Sequence, residues 1–226
     1  MKKVRNVRRC AFIFITLLAV MLIAVSIKFL SPDNPSGERN NIATTENGWN
    51  LILINKDNYI PENYEVTLLR LSNGQKVDER IYPDLQRMFD DARADGIALY
   101  VVQGYRTEQE QQQMLDNKIK EYKNLGKSTE EAKALAEQWV AVPGTSEHQI
   151  GIAVDINADT EKCTPEKLYN WLSENAHKYG FINRYPEDKT EITGIIYEPW
   201  HYRYVGIDAA KEIYEKGICL EEYLKS

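Results

Sequence analysis

Residues 151–157 (GIAVDIN) are the most restrictive feature of this sequence, because they have a clear two-residue period. Side chains of an extended strand alternate between its two faces. One face carries large apolar residues and the other carries small residues with a single carboxylate: Ile152, Val154 and Ile156 against Gly151, Ala153 and Asp155. The apolar face predicts a place in a hydrophobic core. The bare face is suited to a cavity that holds a metal ion and a substrate.

Helix and strand patterns are mixed along the chain after residue 48. Strands are predicted at residues 51–54, 65–71 and 97–102, and within 195–205 as a strand pair or an irregular turn into a strand. Helices are predicted at 83–95, from 107, from 128 to about 139, at 165–179 and at 207–224. Because these elements do not alternate as βαβ units, we predict an α+β domain in which helices flank a small antiparallel sheet.

The N-terminal segment differs from the rest of the chain. Five basic residues precede residue 10, and residues 10–27 are apolar apart from Thr16 and Ser26. A helix of this length, at about 1.5 Å per residue, just spans the hydrocarbon layer of a membrane. We therefore predict a cytoplasmic basic segment at 1–9, a transmembrane signal anchor at 10–28, a flexible linker at 29–48 and a folded domain at 49–226.

The charge distribution predicts on which side of the membrane the folded domain lies and which class of partner it does not bind. The basic N-terminal flank is expected to stay in the cytoplasm, so a single-pass cell-membrane protein with an extracytoplasmic domain is predicted. A cleaved signal peptide is the alternative, because residues 24–26 have the small side chains of a cleavage site. From residue 29 onward there are 22 basic and 34 acidic residues. This acidic balance argues against a nucleic-acid partner.

Two of the three histidines stand near carboxylates in the sequence. His148 comes just before the predicted strand that carries Asp155, and His201 lies three residues after Glu198. Pro199 disfavours a continuous helix between the last two residues, so the pattern differs from the helical HExxH arrangement. Two imidazole nitrogens and one carboxylate oxygen leave a tetrahedral zinc ion with an open fourth position, as in catalytic zinc sites.

Each of these residues also has an ordinary structural interpretation. A single histidine at a strand edge is usually a surface or hydrogen-bonded residue, Asp155 fits a turn or cap, and Glu198 fits an exposed charge. Their combination favours the metal site. His177 provides an internal comparison, since it lies on the polar face of its predicted helix and is interpreted as solvated.

Arg106 follows the apolar strand predicted at 97–102, where a rigid element can direct it into a cleft. One interpretation is a surface residue paired with Glu108 or Glu110, worth under about 1 kcal/mol. The other is a guanidinium that binds a carboxylate or stabilises a developing oxyanion. The spacing leaves both open.

At these residues the sequence resembles the VanY-type D-alanyl-D-alanine carboxypeptidases. These are zinc peptidases whose fold is shared with lysostaphin-like endopeptidases and the hedgehog signalling domain. The resemblance extends over most of the folded domain, and its most specific part is the pair of patterns SxHxxGxAxD and ExxH, which match residues 146–155 and 198–201. Weaker matches include GYR at 104–106 and YGF at 179–181.

The resemblance implies roles for individual residues. It implies that His148, Asp155 and His201 bind one zinc ion, that Glu198 is the catalytic base, and that Arg106 lies beside the substrate carbonyl or terminal carboxylate. It further implies substrate contacts for Ser146 and Gln103. The sequence departs from the commoner pattern Ser-Gly-Tyr-Arg-Ser at Gln103 and Thr107, which leaves the identity of the accepted peptide less defined than the reaction.

The resemblance also implies a function, namely removal of the C-terminal D-alanine from peptidoglycan stem pentapeptides, in cell-wall remodelling or glycopeptide resistance. Alternatives within the enzyme class are an L,D-carboxypeptidase acting on tetrapeptides, a D,D-dipeptidase and a cross-link endopeptidase. A domain outside the cell disfavours a cytoplasmic dipeptidase. A different class is a non-catalytic zinc-containing module that binds cell-wall peptides, and the retention of Glu198 and Arg106 argues against it.

Overall fold

The computed structural model of the protein describes residues 42–159 and 161–225. Within these ranges no helix is both long and apolar enough to cross a bilayer. The predicted basic segment 1–9 and anchor 10–28 lie outside the described residues, as does most of the predicted linker. Near the end of that linker, Ala43 is buried and its N–H donates to the Tyr59 carbonyl at 2.9 Å. Packing of the domain therefore includes residue 43, ahead of the predicted start at Trp49.

The described residues form an α+β domain, as predicted. The helices are α1 Tyr82–Ala94, α2 Glu108–Asn124, α3 Thr129–Ala136, α4 Pro165–Asn175, α5 Thr190–Thr193, α6 Ile207–Lys216 and α7 Leu220–Tyr223. The strands are β1 Leu68–Arg70, β2 Lys76–Asp78, β3 Leu99–Gln103, β4 Ala153–Ala158, β5 Phe181–Asn183 and β6 His201–Tyr204. The segment predicted within 195–205 is thus an irregular turn that leads into a single strand, β6.

Two antiparallel sheets organise the domain. β1 pairs with β2, and the larger sheet has the strand order β3-β4-β6-β5. In the larger sheet Asp155 of β4 is the cross-strand partner of His201 in β6. On its other side β4 pairs with β3, where Gln103 is opposite Asp155 after a shift in register. The register places the predicted metal ligands of β4 and β6 next to each other.

Local sequence signals account for most of these elements. Thr107 and Ser128 both form complete capping boxes at the starts of α2 and α3, as their spacing predicted. α1 begins with a proline in its first turn and directs one apolar face inward. That face packs in one core with the apolar face of β4: Leu85, Met88 and Ala92 with Val154 and Ile156. Burial of each large side chain stabilises the fold by roughly 1.5–3 kcal/mol.

The strand predicted at residues 51–54 does not form. Trp49–Leu51 is a turn of 3-10 helix, although Ile52 and Ile54 are fully buried as their apolar character requires. Carbonyl oxygens of Asn50 and Ile52 accept hydrogen bonds from the Arg203 guanidinium instead of a neighbouring strand. Hydrogen bonds from a side chain distant in sequence therefore replace those that a neighbouring strand would supply.

Gly151 does not belong to β4 either. It ends the 3-10 helix Glu147–Ile150 with a positive φ of 73°, which favours glycine. A Cβ at this position would lie 2.9 Å from the backbone nitrogen of Asp78. Gly151 is therefore small because its backbone turns sharply against β2, and not because it lines a cavity.

Candidate metal centre and active-site cleft

Three side chains with metal-binding atoms meet beside the larger sheet. Asp155 lies on β4, His201 begins β6, and His148 lies on the 3-10 helix that precedes β4. Asp155 Oδ1 is 3.4 Å from His148 Nε2 and 3.2 Å from His201 Nδ1. One possible ligand atom from each residue lies within 4.8 Å of the other two. The fold therefore brings together all three residues predicted as metal ligands.

The surroundings of these atoms fit a metal cation. Asp155 Oδ1 is buried without a hydrogen-bond partner, which costs about 1–3 kcal/mol unless something satisfies it. Burial acts to lower the pKa of the His201 imidazole, but Asp155 and Glu147 outweigh it and raise that pKa to about 9. The carboxylates therefore favour a cation here, either a proton on the imidazole or a metal ion that displaces the proton from Nδ1. Two imidazole nitrogens and one carboxylate oxygen are also donors found in catalytic zinc sites, so the residues fit one zinc ion.

His148 is oriented from its far side by backbone. Its Nδ1 lies 2.8 Å from the Gly104 carbonyl oxygen, so Nδ1 donates and Nε2 is left for a metal. Burial lowers the pKa of the His148 imidazole, which keeps the ring neutral as metal binding requires. Gly104 has no room for a side chain, because a Cβ would lie 2.1 Å from the Lys76 carbonyl oxygen. The glycine of the GYR pattern thus allows the close backbone approach that positions His148.

Glu198 lies beside the metal-binding atoms. It is buried, and its Oε2 is 3.7 Å from His201 Nδ1. The segment around Pro199 is not helical, as the proline predicted, and Asn183 Nδ2 fixes it by donating to the Glu198 carbonyl at 2.7 Å. Burial raises the pKa of the Glu198 carboxyl to about 7. A carboxyl with such a pKa can both accept and return a proton at neutral pH.

Arg106 is directed inward, so its interpretation as a surface residue paired with Glu108 or Glu110 is wrong. Only 5% of Arg106 is exposed, and its Nη2 lies 4.0 Å from Asp155 Oδ2. Nη1 donates to Gln111 Oε1 at 2.6 Å, while Nε is buried without a partner. The guanidinium therefore places a positive charge beside the metal-binding atoms, where its Nη2 can bind an anionic group.

These residues line a cleft with a volume of about 440 Å³. The predicted site residues that line it are Arg106, Ser146, His148, Asp155, Glu198 and His201. The cleft continues along α2 and toward two tryptophans, with walls that include Gln111, Met114, Lys118, Trp139, Tyr185 and Trp200. A peptide longer than two residues can therefore extend away from the metal-binding atoms.

The remaining site predictions differ in outcome. Ser146 lies in the cleft wall, whereas Gln103 pairs with Asp155 through the sheet and does not line the cleft. Substrate contact by either residue stays a prediction. Sequence reasoning missed Gln111 and Tyr185. Gln111 carries a detectable signal, since it is in the first turns of a capped helix that directly follows Arg106.

His177 does not reach the cleft, which agrees with its exclusion from the metal site. Its interpretation as a solvated side chain is wrong, however, because its ring stacks on Tyr214 with 3.7 Å between centroids. Its Nδ1 is buried without a hydrogen-bond partner. His177 lies in the 3-10 helix Ala176–Tyr179 and packs against α6, which periodicity alone does not show, whereas Asn170, Ser173 and Glu174 on the same predicted face are exposed.

The cluster contains three possible ligands within the described part of the chain, and it opens into a cleft that holds an acid and an arginine. A structural zinc site is normally closed by a fourth protein ligand, so an open site of this kind is that of a mononuclear metal-dependent hydrolase. A model of the family described as "VanY: D-alanyl-D-alanine carboxypeptidase" matches residues 74–207, more than half of the chain. The chain belongs to this family.

Known proteins are similar over most of the chain. A D-alanyl-D-alanine carboxypeptidase of Enterococcus faecalis (strain ATCC 700802 / V583) is 56% identical over 199 residues, covering 86% of this chain and 74% of that protein. A mutant of the vancomycin-resistance D,D-pentapeptidase VanY from a VanB-type cassette, in complex with Zn(II), is 60% identical with a TM-score of 0.76. That match covers 78% of this chain and 99% of the other. VanYB in complex with D-alanine-D-alanine is 59% identical with a TM-score of 0.78, covering 79% and 98%.

Proposed function

We propose that this protein is a zinc-dependent D,D-carboxypeptidase that removes the C-terminal D-alanine from peptidoglycan stem pentapeptides. The observation that carries the proposal is the convergence of His148, Asp155 and His201 beside Glu198 in an open cleft. The similar proteins support the metal and the substrate, since one was solved with Zn(II) and another with D-alanine-D-alanine. A role in glycopeptide resistance is supported by the similar enzyme from a vancomycin-resistance cassette.

The proposed reaction is hydrolysis of the terminal peptide bond. His148, Asp155 and His201 would hold the zinc ion, and the bound ion would supply Lewis acidity for this hydrolysis. Glu198 takes a proton from the water while the water oxygen bonds to the carbonyl carbon. The C–N bond then breaks, and Glu198 returns the proton to the amine of the departing D-alanine. Its pKa of about 7 suits both transfers.

Arg106 supplies positive charge on the substrate side of the cleft. Its Nη2, which lies 4.0 Å from Asp155 Oδ2, can donate to the terminal carboxylate of the peptide or to the oxygen that becomes negative during attack. Gln111 holds the guanidinium in place, because it accepts from Nη1 and itself donates to the Ala141 carbonyl at 2.6 Å. Ser146 lies in the same cleft and is proposed to contact the peptide backbone.

Mass spectrometry of muropeptides tests this function. Purified protein is incubated with pentapeptide and tetrapeptide muropeptides, with and without a zinc chelator. Loss of one alanine from the pentapeptide, abolished by the chelator, is the expected result. Cleavage of the tetrapeptide alone would reassign the protein as an L,D-carboxypeptidase. Binding of zinc and muropeptides without any cleavage would identify a binding module.

We also propose that residues 10–28 anchor the protein in the cell membrane with the folded domain outside. The support comes from the sequence, which has an apolar run of membrane-spanning length behind a basic flank. The substrate class agrees with this location, because peptidoglycan lies outside the membrane. Membrane fractionation followed by protease treatment of intact cells tests it, and digestion of the domain in whole cells is the expected outcome.

A further inference from the structure

Glu147 is a buried acid that the proposed reaction does not use. Its side chain is completely inaccessible to solvent. Its Oε1 accepts two hydrogen bonds, from Arg184 Nε and Arg203 Nη1, both at 2.8 Å. Its Oε2 has no hydrogen-bond partner and lies 3.7 Å from His201 Nε2, which also has none. One carboxylate oxygen is therefore saturated by two arginines, and the other faces the ring of a metal-binding histidine.

The two arginines fix Glu147 to separate parts of the fold. Arg184 binds Glu221 of α7 through Nη1 and Nη2 at 2.9 and 2.6 Å. Arg203 belongs to β6 and directs its other donors to three backbone carbonyls, those of Asn50, Ile52 and Tyr204. Both guanidinium groups are positively charged and can only donate, so their bonds to Oε1 favour the carboxylate form of Glu147. The free oxygen therefore belongs to an ionised, rigidly held carboxylate.

We propose that Glu147 is a positioning residue for His201: its free oxygen faces Nε2 at 3.7 Å and holds the ring proton on that nitrogen, so that Nδ1 presents its lone pair to the metal. This inference rests on the proposed zinc site and deepens it. A neutral imidazole carries one N–H, so a carboxylate at Nε2 selects the tautomer in which Nδ1 is the ligand. The Gly104 carbonyl selects the tautomer of His148 in the same way, since it accepts from Nδ1 and leaves Nε2 for the metal.

Glu147→Gln is the informative variant because it preserves the shape of the side chain. The amide oxygen would stay with Arg184 and Arg203, since an NH2 group cannot accept from guanidinium donors. The amide NH2 would then face His201 Nε2, which would have to accept. The ring proton would move to Nδ1, and this tautomer cannot bind the metal through that atom.

The measurement is zinc affinity by competition with a chromogenic chelator. Loss of such an outer partner typically weakens metal affinity by about 10- to 100-fold, and that is the loss expected for Glu147→Gln. Asp78→Asn is the matched control, because Asp78 is another buried acid paired with an arginine, Arg80, and it does not contact His201. Its zinc affinity is expected to stay within about twofold of the original, even where its thermal stability falls. Equal zinc affinity in Glu147→Gln and the original protein would overturn the inference and leave the proposed function intact.

A spectroscopic measurement keeps the inference testable where Glu147→Gln does not fold. In the zinc-loaded original protein, ¹⁵N-edited NMR is expected to show a slowly exchanging Nε2–H on His201, because a buried N–H that faces a carboxylate is protected from solvent. Rapid exchange, or a proton on Nδ1, would contradict the assignment. An original protein that binds no zinc would overturn the proposed function and, with it, this inference.

Discussion

Asp155 and His201 are cross-strand partners in the β4–β6 pair, and their side chains meet with Asp155 Oδ1 3.2 Å from His201 Nδ1. Side chains directly opposite each other in an antiparallel pair start about 4.5–5.5 Å apart at Cβ, which suits two ligands of one ion. A slip of one residue in this register would turn one of them to the other face of the sheet. The metal centre therefore depends on the same strand pairing that builds the core.

Glu198→Ala is expected to separate catalysis from metal binding. The variant loses the proton acceptor but none of the three ligands, so it should retain about one zinc per chain while its turnover falls by about 10²–10⁴-fold. Zinc content by atomic absorption and release of D-alanine from a pentapeptide check the two parts. Undiminished release would remove Glu198 from the mechanism.

His148→Ala is expected to lose zinc, because two remaining ligands cannot complete the site. His177→Ala serves as its control, since it also removes an imidazole, but a half-buried one that is stacked on Tyr214 outside the cleft. Zinc content after dialysis should fall to near zero in the first variant and stay unchanged in the second. Equal loss in both would point to a general effect on folding.

Gln111→Leu is expected to impair the reaction through Arg106. The leucine cannot accept from Nη1, so the guanidinium loses its anchor, and displacement of a catalytic group by about 1 Å can cost 10²-fold in rate. We expect kcat/KM to fall by about 10- to 100-fold with zinc content unchanged. Gln112→Leu, on the exposed side of the same helix, is the control, and a similar fall there would contradict the role given to Gln111.

Gly151→Ala is expected to destabilise the domain more than Gly217→Ala. Both glycines have positive φ, at 73° and 62°, and alanine in this region costs about 1–2 kcal/mol. At Gly217 a Cβ meets no atom within 4 Å, whereas at Gly151 it would lie 2.9 Å from the Asp78 backbone nitrogen. Urea unfolding of both variants measures the difference, and equal stability losses would show that this contact relaxes without cost.

Tyr179→Phe is expected to destabilise the protein only below about pH 12. The Tyr179 hydroxyl donates to Asp91 Oδ2 at 2.6 Å, and burial together with this bond raises its pKa to about 12. A group whose pKa is raised on folding makes its full contribution to the stability of the folded state below its unfolded pKa, which is near 10 for tyrosine. This contribution is lost as the pH rises through 12. The variant should lose about 0.5–1.5 kcal/mol at pH 8. Urea unfolding of both proteins at pH 8 and 11 should show a smaller difference at the higher pH.

Elements with local causes were predictable from the sequence. The capping boxes at Thr107 and Ser128 depend on residues three positions apart, and the alternation in residues 151–157 placed Ile152, Val154 and Ile156 in the core. The strand predicted at 51–54 does not form, and the Arg203 guanidinium, distant in the chain, satisfies the carbonyls of Asn50 and Ile52. Apolar character fixed the burial of this segment but not its hydrogen-bond partners.

The sequence by itself determined which residue types are available for chemistry: two histidines, an aspartate and a glutamate in specific patterns. Only the tertiary structure decided that His148, Asp155 and His201 converge, because sheet register is a long-range property. It also decided that Arg106 is directed inward and that Glu147 faces His201 Nε2. Burial and pairing of charges depend on elements far apart in the chain, and no local spacing encodes them.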